Sequence, residues 1–146
     1  MRYNGLCSIA YEEVNMHASH KPSSSFSHAE KNAVALKAFF GITQKWELTS
    51  DQERVLLGAA PATFYRWKKT KNGSLTQDTL ERISYILGIY KALRILLPSE
   101  IAANQWIKKP NKAPLFSGKS ALDKLLAGRV IDLADVRRYL DAERGL

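Results

Sequence analysis

Few residues in this chain have the types and spacing that chemistry needs. Cys7, His17, His20 and His28 are of metal-ligating type, but their spacing matches no zinc pattern and their segment offers no scaffold for a tetrahedron. Gly118-Lys119-Ser120 opens an expected helix much as a phosphate-binding loop would. The first glycine of such a loop would have to stand at position 113, which is Ala113, and no strand precedes it, so the triplet reads as a turn and a cap. Carboxylates fall on the expected outer faces of helices, and no Ser/His/Asp or Cys/His grouping lies in a structured segment. No catalytic residue, metal site or cofactor site is therefore expected. The grouping that survives is Pro61 to Lys71, where Arg66, Lys68, Lys69 and Lys71 stand among Phe64, Tyr65 and Trp67 with no acid. A helix of that sign suits a phosphate backbone.

The stretch around it supplies the means of positioning those groups. Thr49 or Ser50 can cap a first short helix, with Gln52 or Glu53 closing a capping box, and Gly58 ends it. Pro61 fits the first turn of a second helix, where a missing N–H is harmless. Phe64 and Trp67 share one face, while Thr63, Tyr65, Arg66 and Lys69 point elsewhere. This is a helix-turn-helix pattern; a plain helical hairpin has the same outline, and the charge favours DNA. Thr63, Tyr65 and Arg66 are then expected at base edges, with Lys68, Lys69 and Lys71 on phosphates.

Around this centre the chain reads as all-α. Residues 1–28 have no sustained apolar period and form an expected arm, followed by a helix from His28 to Trp46 with Ala33, Leu36, Phe40 and Trp46 inward. Gly41 invites a break near Phe40. Ser74 or Thr76 can cap a long helix from about Gln77 to Leu97, whose apolar stripe is broad enough to need two neighbours. Its first half is expected to close a DNA-binding domain over 29–90, and its second to pack into a domain over 91–146 or a second copy of the chain. Beyond Pro98 a short helix to Ile107 leads into KKPNKAP. Ser120, with Asp123 three residues on, caps a helix carrying Leu122, Leu125 and Leu126, which Gly128 ends; Asp132 is the expected cap of a last helix with Leu133, Val136 and Leu140 inward and Gly145 at its end.

Composition sets the outer bounds. The 146 residues carry 22 bases against 14 acids, a net charge of +8, and the excess is nil over 1–28, +5 over 29–97 and +3 over 98–146. Such a balance points to an acidic partner. The single cysteine, Cys7, excludes an internal disulfide framework and suits a reducing cytosol. No run approaches the roughly 18 apolar residues of a membrane span, and the start lacks a signal-like apolar core, so a cytoplasmic chain with no membrane contact is expected.

Two motifs in this order resemble a known family. Trp106, Pro110-Asn111, the run Leu115 to Asp123 and a final helix ending near Gly145 are similar to the C-terminal toxin-binding domain of the Xre/MbcA/ParS antitoxins, and WELT…LLGAAPATFYRWKK resembles their Cro-like helix-turn-helix. The resemblance covers about residues 30–146. It departs from the family at Ala121, where proline is common, at Arg54, where helix-turn-helix units place a small residue, and at the end, where relatives run on past Leu146.

The resemblance implies an antitoxin whose partner is a RES-domain toxin, an enzyme that destroys NAD⁺, with the C-terminal domain covering the toxin's active site and a homodimer repressing its own promoter DNA. Trp106, Asn111, Phe116, Gly118, Lys119, Ser120 and Leu122 match the domain motif, and Arg144, Gly145 and Leu146 match the cleft-reaching tail in position. Arg137 and Arg138 are candidates for the same surface. The competing reading is a dimeric helix-turn-helix repressor with no toxin, in which the rear module only dimerises.

Overall fold

A computed structural model describes residues 25–146; Cys7, His17, His20 and most of the expected arm lie outside them. The described chain is all-helical: α1 (His28–Lys45), α2 (Ser50–Leu57), α3 (Pro61–Thr70), α4 (Gln77–Leu96), α5 (Glu100–Gln105), a 3₁₀ turn (Trp106–Lys108), α6 (Ala121–Leu125) and α7 (Val130–Glu143). Among the described residues no helix is long and apolar enough to cross a membrane.

Local signals start most of these helices. Ser27 caps α1, accepting from the Glu30 N–H at 3.2 Å while its own N–H donates to the Glu30 carboxylate at 2.7 Å, so the α1 cap lies inside the stretch expected to be arm. Gly41 does not break α1; it sits exposed on an unbroken helix, where its propensity penalty of about 1 kcal/mol is outweighed by burial of Leu36, Phe39, Phe40 and Ile42. Of the two candidate caps for α2, Thr49 is the one used, in a box with Gln52. Gly58 ends α2 in the left-handed conformation at φ 64°. Thr76 rather than Ser74 caps α4, and Ser120 closes its box with Asp123. The last helix differs from expectation. It begins at Val130 with Arg129 at the cap, and Asp132 lies in its first turn, buried, because the carboxylate has basic partners to face inward towards.

α4 organises the packing. One side rests on α1 and α2, the other on α7, and Ile83, Ile86, Ile89 and Ala92 are fully buried. The core is continuous from Leu36 to Leu140, and α4 crosses the expected boundary at 90/91 without a break. Gly88 leaves room at the α4–α7 contact for the Arg137 guanidinium, which lies against it and would have to shift to admit a Cβ. Lys45 at the end of α1 reaches both the Tyr90 hydroxyl, 3.0 Å away, and Glu100 at 3.6 Å, tying α1 to α4 and α5.

Candidate nucleic-acid and partner interfaces

α3 divides cleanly into two sides. Phe64 and Trp67 are buried, Phe64 packing on Phe40 with ring centroids 5.9 Å apart, and this fixes the rotation of the helix. Tyr65, 54% exposed, Arg66 and Lys69 therefore face solvent, with Thr63 half-buried at their edge. Arg66 and Lys69 have no acid within ion-pair distance among the described residues, so both are available to an anionic partner. Ala60, at the cap position, offers no side chain to the first N–H groups of α3.

Lys68 and Lys71 are held differently. Lys68 is half-buried, with its ammonium 2.8 Å from the Glu53 carboxylate and 2.9 Å from the Ser50 hydroxyl. Glu53 is 4% exposed and also accepts from the Thr43 hydroxyl at 2.9 Å, so one carboxylate joins α1, α2 and α3. This departs from the expectation of carboxylates on outer faces: a buried acid is retained here because a lysine and a hydroxyl satisfy it. Lys71 caps α3 at φ 52°, donates to the Lys68 carbonyl and lies over the Phe40 ring, 4.8 Å from its centroid. Both lysines thus set the angle of α3 within the unit, whereas Arg66 and Lys69 are free at its surface. Arg54 accommodates its own bulk by donating across the turn to the Ala59 carbonyl at 3.5 Å.

Most of the rear motif builds a hairpin. Asn111 and Lys119 pair through their backbones, the Gly118 N–H donates to the Asn111 carbonyl at 2.8 Å, and Pro110 and Ser120 form an antiparallel bridge. The Asn111 side chain accepts from the Ala113 N–H at 2.9 Å, and Ser117 and Gly118, both at positive φ, make the turn. Phe116 and Leu122 are buried, 3% and 7% exposed, so they support this surface from beneath. Half-buried Trp106 meets Phe116 edge-on at 5.9 Å and stacks on Tyr139 at 6.3 Å. Tyr139 was not singled out from the sequence; its place three residues after Val136 on the inner face of α7 is the signal that could have found it.

The basic residues of α6 and α7 are bound to aspartates. Asp132, 1% exposed, takes Arg129 at 2.9 Å and Lys124 at 3.1 Å; Asp135 takes Arg138 and Lys124 at 3.1 and 3.6 Å. The hydrogen bond from Arg129 holds the Asp132 carboxyl below the ordinary carboxylate range, against the opposing effect of burial, and Lys124 adds to it. Asp141 takes Arg137 at 3.0 Å and Arg144 at 3.7 Å. Arg137 is thus a fastening between α7 and α4, while Arg138 stays largely exposed. Gly145 turns the chain at φ 81°, the Leu146 N–H returns to the Asp141 carbonyl at 2.9 Å, and the Leu146 side chain stands 77% exposed.

Comparison with known proteins divides the chain where the chemistry does. Residues 25–88 match the antitoxin Xre-like helix-turn-helix domain, and residues 92–145 match the antitoxin Xre/MbcA/ParS C-terminal toxin-binding domain. The chain belongs to the Xre-type antitoxins. It is also similar to the uncharacterized protein y4oB of Sinorhizobium fredii, at 48% identity over 124 residues, which is 84% of this chain and 94% of that protein. In this antitoxin the exposed side of α3 lies within the helix-turn-helix match, and the hairpin, the Trp106–Phe116–Tyr139 cluster and α7 lie within the toxin-binding match.

Proposed function

We propose that this antitoxin neutralises a RES-domain, NAD⁺-degrading toxin by covering its active site, and that as a homodimer in the cytoplasm it represses its own operon. The observation carrying the reading is the presence of two surfaces in one chain: a cationic α3 face with Tyr65, Arg66 and Lys69 open, and a rear module ending in a tail whose Leu146 is exposed. Cations and an aromatic on α3 suit a major groove. Trp106, Asn111, Lys119 and Ser120 give the toxin a fixed hairpin to seat on, and Arg144 to Leu146 enter its cleft. Arg144 rests on Asp141 in the free chain, so entry exchanges that surface ion pair for an anionic group of the cleft. Dimerisation follows from the few bases that one α3 can read.

Deleting residues 144–146 tests the arrangement directly. The shortened antitoxin is expected to co-purify with the protein of the neighbouring reading frame and to lose at least tenfold in its inhibition of NAD⁺ consumption. Full inhibition by the shortened chain would remove the tail from the mechanism, and a neighbour that consumes no NAD⁺ would remove the RES assignment.

A further inference from the structure

The rear half carries its excess charge in one place. Of its nine basic residues, Lys124, Arg129, Arg137, Arg138 and Arg144 are all ion-paired to Asp132, Asp135 or Asp141. Lys108, Lys109, Lys112 and Lys119 have no carboxylate within ion-pair distance among the described residues, and all four are exposed. They stand on a braced segment. Lys108 and Lys109 close the 3₁₀ turn, with the Lys109 N–H bonded to the Trp106 carbonyl, and Lys112 lies inside the hairpin closed by the Asn111–Lys119 backbone bond.

This strip is joined to the helix-turn-helix. The Lys108 ammonium donates to the Glu47 carbonyl at 3.1 Å, across 61 positions of sequence. Glu47 begins the turn between α1 and α2; Thr49 caps α2 two residues on, and Ser50 in its first turn receives Lys68 of α3. In a helix-turn-helix the first of the two helices crosses the phosphate backbone while the second enters the groove. The Lys108 end of the strip therefore lies beside the start of the element that meets phosphate, with Lys109 and Lys112 following it in the chain.

We propose that Lys108, Lys109 and Lys112 form a second phosphate-contacting row, extending the DNA footprint of α3 onto the flanking backbone. The toxin-binding domain then contributes sequence-independent affinity for DNA, through lysines outside the motif residues assigned to the toxin. The proposal rests on DNA binding by the helix-turn-helix, and the test separates the two.

Full-length protein is titrated into a labelled random-sequence DNA duplex over a series of salt concentrations. The triple variant Lys108→Gln, Lys109→Gln, Lys112→Gln is expected to lower the slope of log affinity against log salt by roughly 2–3, since each phosphate contact contributes about 0.9. It should bind on the order of 10–100-fold more weakly at low salt and converge with wild type at high salt. The matching triple arginine variant should retain the wild-type slope, which excludes a folding defect as the cause. Failure of the wild-type chain to bind any duplex removes both readings. Binding with an unchanged slope in the glutamine variant overturns this one alone, and loss of toxin capture with that unchanged slope reassigns the strip to protein.

Discussion

Arg66 and Lys69 share the open side of α3 but differ in the contact they can make. A guanidinium presents two parallel donors to a guanine edge, and an ammonium acts on phosphate as a point charge. Arg66→Ala is expected to reduce affinity for the chain's own promoter by about 1–3 kcal/mol with little change on random DNA. Lys69→Ala should weaken both alike and reduce the salt slope by about 1, as binding titrations on the two duplexes would show. Equal losses for the two variants on both duplexes would count against the division. Asp132 gives a prediction of stability. Its carboxyl titrates lower in the folded chain than in the unfolded one, so its contribution is present above the unfolded value of about 4 and disappears as pH falls through the folded one. Asp132→Asn is expected to cost about 2–3 kcal/mol at neutral pH, because Lys124 is left half-buried without its main partner, and to flatten the acid limb of the denaturation profile. An unaltered acid limb in urea titrations from neutral pH downward would show that the ion pair contributes nothing.

Helix starts were the most legible elements, because a cap is a local event. Ser120 with Asp123, the Gly58 stop and Pro61 at the start of α3 could be read directly, since each acts locally: the Ser120 and Asp123 side chains bond each other's backbone, Gly58 takes the left-handed conformation, and Pro61 stands where no N–H is needed. Asp132 could not. An aspartate before an apolar run reads as a cap, and only the arrival of Lys124 from α6 makes its burial tolerable. The rotation of α3 was equally legible from Phe64 and Trp67, but the commitment of Lys68 to Glu53 depends on α2 crossing α3, which spacing alone does not encode. The α4–α7 contact was hidden for a similar reason: a glycine in a long helix gives no sign of the arginine that will lie on it. Gly88→Ala should displace the Arg137 guanidinium and weaken its pair with Asp141, but the arginine end is flexible and alanine gains about 1 kcal/mol of helix propensity, so the thermal midpoint is expected to move by no more than a few degrees. In an Arg137→Ala background the same change should be more favourable than in the wild type, and melting curves of the single and double variants measure that coupling.

For the molecule as a whole the sequence gives two family domains, while the packing gives one continuous core with α4 as its common wall. The broad stripe along α4 did announce two neighbours; that they share a single cluster needed the positions of Ile86, Ile89 and Leu93 relative to α1 and α7. Trp46 and Trp67 sit in the front half and Trp106 in the rear, so the two regions can be followed separately. Urea unfolding monitored by circular dichroism, by the native tryptophans and by a Trp106→Phe variant should give coincident midpoints. Two separated transitions would mean that α4 is divided rather than shared. Because each half completes the other's interior, a protease cut that unfolds either region is expected to unfold the other as well, so that under the proposed function DNA binding and toxin neutralisation would lapse together.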